Sequence, residues 1–213
     1  MEWSNDVGAA DWIVERLLPF GSEAVGGFLP NTFGAYARVL HPWHAGDGLG
    51  KTRWSDLALK AGVVLGPATQ REELEACAAR HDVQPPSLGT LDADELAALV
   101  DVLAAFTATS ESCRFGLWDG YGWIVPAGPR VEIPGRSLRL YAGSIEHAGA
   151  LLAFPTLQSP NLWWPDDRAW CVASEIDFCS TYVGGSPVLI ERVLEDERLE
   201  AIPVRLEDRG IRD

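Results

Sequence analysis

The hydrophobic period changes partway along the chain, and this change constrains the fold more than any other feature. Leu96, Leu99, Val100, Leu103 and Phe106 recur at helical spacing. Further on, in RAWCVASEIDF, Trp170, Val172, Ser174, Ile176 and Phe178 share one parity, as side chains on a strand do. Helices early and strands late, joined by hairpin turns, predict an α+β fold. Its sheet is expected to be mostly antiparallel and to lie in the C-terminal half, with helices grouped in the N-terminal half and one C-terminal helix. A doubly wound sheet would need regular strand–helix alternation and a glycine-rich phosphate loop after its first strand, and neither is visible. At 213 residues, a single domain over 1–213 can bury a sizeable core without disulfides or metal.

Local signals place the elements. Ser55 to Lys60, ending at Gly62, reads as a short helix. Thr69 and Glu72 have capping-box spacing ahead of Leu74, Cys77 and Ala78. Asp92 and Glu95 repeat that spacing, with Leu91 and Leu96 set as a hydrophobic staple. The glycine-rich stretch His41 to Trp54 reads as a loop. SCRFGLWDGYGWIVPAG predicts a hairpin turning at Asp119-Gly120, and SLRLY, Ser137 to Tyr141, a further strand. STYVGG either extends the RAWCVASEIDF strand past a bend or returns as its hairpin partner. Ser186 caps a last helix with Pro187 at its first position, and Leu189, Ile190, Val193 and Leu194 form its buried face. EAIPVRL is expected at a sheet edge, because Pro203 lacks the N–H a central strand needs.

Charge narrows the classes of partner. With 17 basic and 31 acidic residues the net charge is −14. That disfavours nucleic acid, whose phosphates require a basic patch, and it disfavours anionic membrane surfaces. It suits a basic partner or a cation. The opening residues lack the apolar core of a secretion signal, and Cys77, Cys113, Cys171 and Cys179 form no CxxC. The expectation is a cytoplasmic protein with reduced, mostly buried thiols, no cofactor and no metal.

The candidate chemistry is concentrated late in the chain. On a continuous strand, Glu175 and Asp177 would project from one face, opposite in parity to Trp170 and Ile176. Such a pair can supply an acid and a base, or simply form a solvated strand face. They are the catalytic candidates. Trp118, Asp119, Tyr121, Trp163, Trp164 and Arg168 are the ligand-binding candidates, with Trp123 nearby. Aromatic faces suit sugars, bases, peptide side chains or cations. Trp163 and Trp164 cannot point the same way in an extended segment, so one of them is the better candidate for a groove. Arg38 and Arg168 could each pair with the carboxylates. His41-Pro-Trp-His44 lacks a third ligand and the helix that would align its histidines. No serine lies in a G-x-S-x-G elbow, and strand cysteines such as Cys113 and Cys171 are more often buried than nucleophilic. Gly184 to Pro187 reads as a helix entry rather than an anion site.

The run SPNLWWPDDRAWCVASEIDFCSTYVGGSPVLIERVLEDERLEA, with FGAYARVLHP and FGLWDGYG upstream, resembles a family of uncharacterised actinobacterial proteins. The resemblance extends from about Pro30 to Val204 and is most specific from Asn161 to Gly185. It implies a bacterial cytoplasmic protein and carries over no catalytic residues. GGFLPNTFGAYARVL is similar to the leucine-proline-aromatic opening of the SMI1/KNR4-type immunity superfamily. The residues themselves support a protein- or ligand-binding module with an aromatic, acidic groove. The alternative is a hydrolase that uses Glu175 and Asp177, with or without a metal, on a sugar- or nucleotide-like substrate.

Overall fold

Nine antiparallel strands among the described residues make the main sheet of this computed structural model, which describes residues 2–122, 129–152 and 158–210. The chain begins with β1 (Glu2–Trp3) and the short α1 (Asp11–Val14), then enters β2 (Ala35–Leu40). A small sheet follows, from β3 (Trp43–Ala45), β4 (Lys51–Thr52) and, beyond α2 (Trp54–Ala61) and α3 (Glu72–Arg80), β5 (Val83–Gln84). After α4 (Ala93–Ala104) come β6 (Cys113–Trp118), β7 (Val131–Ile133), β8 (Arg136–Gly143) and α5 (His147–Ala150). The last elements are β9 (Leu162–Pro165), β10 (Cys171–Ser174), β11 (Ser180–Gly185), α6 (Pro187–Glu195) and β12 (Ala201–Val204).

The main sheet runs β1-β8-β6-β9-β10-β11-β2-β12, with β7 also on the outer edge of β8. The fold is therefore α+β and mostly antiparallel, as the change of period predicts. The sheet is not confined to the C-terminal half, because β2 lies inside it, between β11 and β12. Pro203 sits on the terminal strand, where no partner needs its missing N–H.

Both faces of the sheet are buried. On one face Phe115, Trp163, Trp170, Val172 and Val183 pack under the stripes of α4 and α6. On the other, Leu138, Leu162, Trp164, Cys171 and Tyr182 pack under Trp12, Ile13, Val25, Phe28 and Leu29 from the N-terminal segment. A third cluster joins Leu40, Trp43, Trp54, Leu57, Leu74 and Cys179 under α2 and α3. Trp163 and Trp164 do point to opposite faces, but each is 1% exposed, so neither lines a groove. The expectation of one exposed ring assumed that one face of the sheet met water.

Several sequence signals act as read. Gly62 closes α2 with φ +71, and the Ser186 hydroxyl accepts from the Leu189 N–H at 3.2 Å with Pro187 at the start of α6. Others are redirected. Thr69 does not cap α3; its hydroxyl accepts from the Gly66 N–H, while Glu73 reaches back to the Gln70 N–H at 2.7 Å. Asp92 begins α4 without a side-chain cap bond, because its carboxylate faces His44 and Lys51. The glycine-rich stretch after His41 is not simply a loop but includes β3 and β4, paired at Trp43–Thr52 and His44–Lys51. Among the described residues the partners of β6 are β8 and β9. The expected second arm from Trp123 lies outside the described residues.

Candidate functional site

The strand read as RAWCVASEIDF ends at Ser174. Glu175, Ile176 and Asp177 form a tight turn, closed by the Phe178 N–H donating to the Glu175 carbonyl at 3.0 Å, and STYVGG returns as the hairpin partner β11. Glu175 and Asp177 are thus turn residues, not neighbours on one strand face. The turn also resets parity: Phe178 joins the cluster beneath Trp164, whereas Trp170 and Val172 lie on the opposite face. A second segment braces the turn. Gly89, at φ +66, donates its N–H to the Phe178 carbonyl at 2.8 Å, and a Cβ there would lie 2.7 Å from the Ile176 carbonyl oxygen.

A cavity of about 190 Å³ opens beside this turn. Its aromatic walls are Phe20, Phe28, Trp118 and Phe178. Phe28 and Phe178 meet edge to face at 5.5 Å and are nearly buried, whereas Phe20 is 66% exposed and lies over Gly135 in the β7–β8 turn. Its charged lining is Glu23, Arg136, Glu175 and Asp177. Arg136, at the start of β8, forms an ion pair with Glu175, whose other oxygen accepts from the Ile176 N–H at 3.0 Å. Asp177 is exposed and makes no ion pair among the described residues. Glu23 pairs with Arg209 at 2.9 Å, both about half exposed.

Asn161 ties the site together. Its side-chain oxygen accepts from the Trp118 N–H at 2.9 Å, and its amide nitrogen donates to the Ser174 carbonyl at 3.1 Å and to the Tyr121 hydroxyl oxygen at 3.3 Å. One side chain therefore fixes the end of β6, the start of the turn and Tyr121. Burial raises the Tyr121 phenol above its usual range; the Asn161 hydrogen bond opposes the rise and the negative charge of Asp177 adds to it.

Trp118, Glu175 and Asp177 are brought together here, and the other candidates are not. Asp119 is taken by Arg139 at 2.5 Å and Arg130 at 2.9 Å. Tyr121 touches Trp118 edge to face at 5.3 Å but packs toward the α4 side of the sheet. Arg168 sits in a turn at φ +57, its guanidinium 5.4 Å from the Trp12 ring, paired with neither Glu175 nor Asp177. Arg38 is fully buried and instead donates to Ser180 and to the Thr69 carbonyl. The sequence does not single out Phe20, Phe28, Arg136 or Asn161. Asn161 stood inside the most distinctive block, and Arg136 follows a Pro-Gly turn signal, but neither carried a spacing that pointed to Glu175.

The remaining motifs separate physically. His41 is buried between the Ser87 carbonyl and the Thr181 hydroxyl, while His44 faces Asp92. Among the described residues no group of three or more His, Cys, Asp or Glu side chains is placed to hold a metal ion. All four cysteines are buried free thiols; burial pushes Cys113 up to about 12 and Cys171 higher still, so neither is a thiolate nucleophile at neutral pH. No helix among the described residues is long and apolar enough to cross a membrane. Comparisons with protein-family models, curated proteins and solved structures found no match.

Proposed function

We propose that this chain is a binding module that presents the cavity beside the β10–β11 turn to a protein partner or small ligand. The convergence of Trp118, Phe20, Glu175 and Asp177 on one opening carries this reading. Aromatic walls with a few placed charged groups are the usual composition of a recognition pocket. The geometry favours binding over carboxylate-pair hydrolysis. Glu175 is held by Arg136 and by a backbone N–H, which leaves Asp177 as the one uncommitted carboxylate of the pair, and acid–base hydrolysis needs two. Four buried free thiols support a reducing, cytoplasmic setting. Neutralising a toxin is one role such a module would serve.

A fragment titration tests the reading. The full chain, labelled with nitrogen-15, is titrated with indole, glucose, acetate and arginine amide. The resonances to follow are the Trp118 indole N–H and the backbone amides of Glu175 to Phe178. At least one fragment is expected to shift this set saturably, and Phe20→Ala should weaken it. Saturable shifts elsewhere, with this set unmoved by every fragment, would sink the proposal.

A further inference from the structure

We propose that the cavity's occupant is a cationic side chain, an arginine or lysine presented by a basic segment of a protein partner; this rests on the binding reading above. Three observations point the same way. The first is the charge of the lining, in which Glu23, Glu175 and Asp177 face a single cation, Arg136. Arg136 is engaged by Glu175, and Asp177 at the lip makes no ion pair among the described residues. An incoming anion would meet three carboxylates and an occupied guanidinium, whereas an incoming cation would meet an uncommitted carboxylate.

The second observation is the wall. Phe20 is 66% exposed, an unusual state for a phenylalanine in a chain that buries Trp43, Trp54, Trp163, Trp164 and Trp170 almost completely. An aromatic face beside a carboxylate is the environment that favours an organic cation, through the ring quadrupole together with the charge. Arg136 already illustrates the fit, because its own guanidinium is seated against Glu175 within this lining. A hard metal ion is a poorer match, since it wants six or more oxygens and the lining offers three carboxylates, two of which are engaged.

The third observation is size and field. At about 190 Å³ the cavity is smaller than the roughly 300–1,000 Å³ of pockets that enclose whole small molecules. It suits the end of one long side chain on a larger partner. The net charge of −14 would draw a basic partner toward the surface before docking. The occupant's charge is held by Asp177, and its apolar stem lies against Phe20 and Phe28.

The test uses the full chain and four capped tripeptides, glycine-X-glycine with X as arginine, lysine, citrulline or glutamate, read at the same resonances. The arginine and lysine peptides are expected to shift the cavity set saturably. The citrulline peptide, nearly the same shape without the charge, should bind about two- to fivefold more weakly, as should the arginine peptide to Asp177→Asn, on the scale of one exposed ion pair. Raising salt should weaken the cationic peptides and leave the neutral one unchanged. Asp177 is exposed, so its variant should melt as the parent does. Equal or tighter binding of the citrulline or glutamate peptide overturns the cationic assignment. So does a cavity that answers to neutral fragments but to no cationic peptide; in both cases the binding reading stands. A cavity silent to peptides and fragments alike removes both.

Discussion

His41 makes the stability of this protein depend on pH in a window set by one side chain. It is fully buried where β2 ends. Its Nδ1 lies 2.7 Å from the Ser87 carbonyl oxygen, which can only accept, so Nδ1 carries the hydrogen and Nε2 is left to accept from the Thr181 hydroxyl at 2.9 Å. Thr181 in turn is 2.7 Å from the Ser174 hydroxyl. Protonation would make both ring nitrogens donors, force that hydroxyl chain to reverse and place a second cation near the buried Arg38. Burial is the largest cause and Arg38 adds to it, against the Ser87 bond, which favours the charged ring; together they lower His41 from 6.5 to about 4. The unfolded chain therefore takes up this proton at higher pH than the folded one. The stability is fully present above pH 6.5 and is lost as pH falls toward about 4. At about 1.4 kcal/mol for each pH unit, the loss is about 3 kcal/mol across the window.

Urea unfolding followed by tryptophan fluorescence, at steps from neutral pH down to about 4, measures this directly. The unfolding free energy of the parent chain should fall most steeply between the two values. His41→Gln should be less stable at neutral pH, by about 1–3 kcal/mol for the disturbed hydrogen bonds, and should lose the slope. The two carboxylates held below their usual range act at lower pH than His41. Asp196, held low mainly by Arg198, and Asp167, held low by backbone and threonine donors despite partial burial, lose their contributions only below 3.8. A parent chain whose stability is flat from pH 6.5 to 4.5, or a variant with an unchanged slope, refutes the reasoning. The imidazole resonance of His41 provides a second check and should not titrate above about pH 5.

Three further outcomes follow from local geometry. Gly89→Ala should destabilise by at least about 1–2 kcal/mol from the left-handed backbone alone; its Cβ would also push on Ile176, so peptide binding at the cavity should weaken with it. Ser186→Ala should cost about 1 kcal/mol in urea melts by leaving the Leu189 N–H uncapped, and Ser186→Gly only a few tenths. Arg38→Ala should cost about 3 kcal/mol, because it strips donors from Ser180 and the Thr69 carbonyl and opens space beside Trp54; hydrogen exchange should rise first in the segment from Pro67 to Thr69.

What was legible in the sequence was what short-range chemistry decides. Gly62 and Pro203 act through their own backbone, and Ser186 with Pro187 acts on the first turn of its own helix, so each reads from the local sequence. The stripe from Leu96 to Leu103 reads directly because α4 buries one face against the sheet. The misplaced tryptophans have one cause. The alternation from Trp170 onward reads as one face in and one face out, but the N-terminal segment covers the second face. That segment has no periodic pattern to reveal it, only the four-residue α1 and scattered Val25, Phe28 and Leu29. The burial of both Trp163 and Trp164 follows. The turn at Glu175 to Asp177 was hidden for another reason: it contains no glycine or proline, so nothing interrupted the strand reading.

The same covering explains where the candidate site lies. With helices over one face of the sheet and the N-terminal segment over the other, the faces of β9, β10 and β11 are fully buried and have no surface left for a ligand. Recognition is displaced to the end of the sheet, where the β7–β8 and β10–β11 turns emerge beside the N-terminal cover. There Phe20 belongs to the cover, Trp118 and Arg136 to strand ends, and Glu175 and Asp177 to a turn. Each comes from a different part of the chain, so no motif of fixed spacing can encode the site. The register of the sheet assembles it instead, through β6 on β8 and β10 on β11, with Asn161 linking Trp118 to Ser174. Asn161→Ala, which unties Trp118 from Ser174, should therefore shift the Trp118 indole and Glu175 amide resonances although it alters none of the cavity's lining residues.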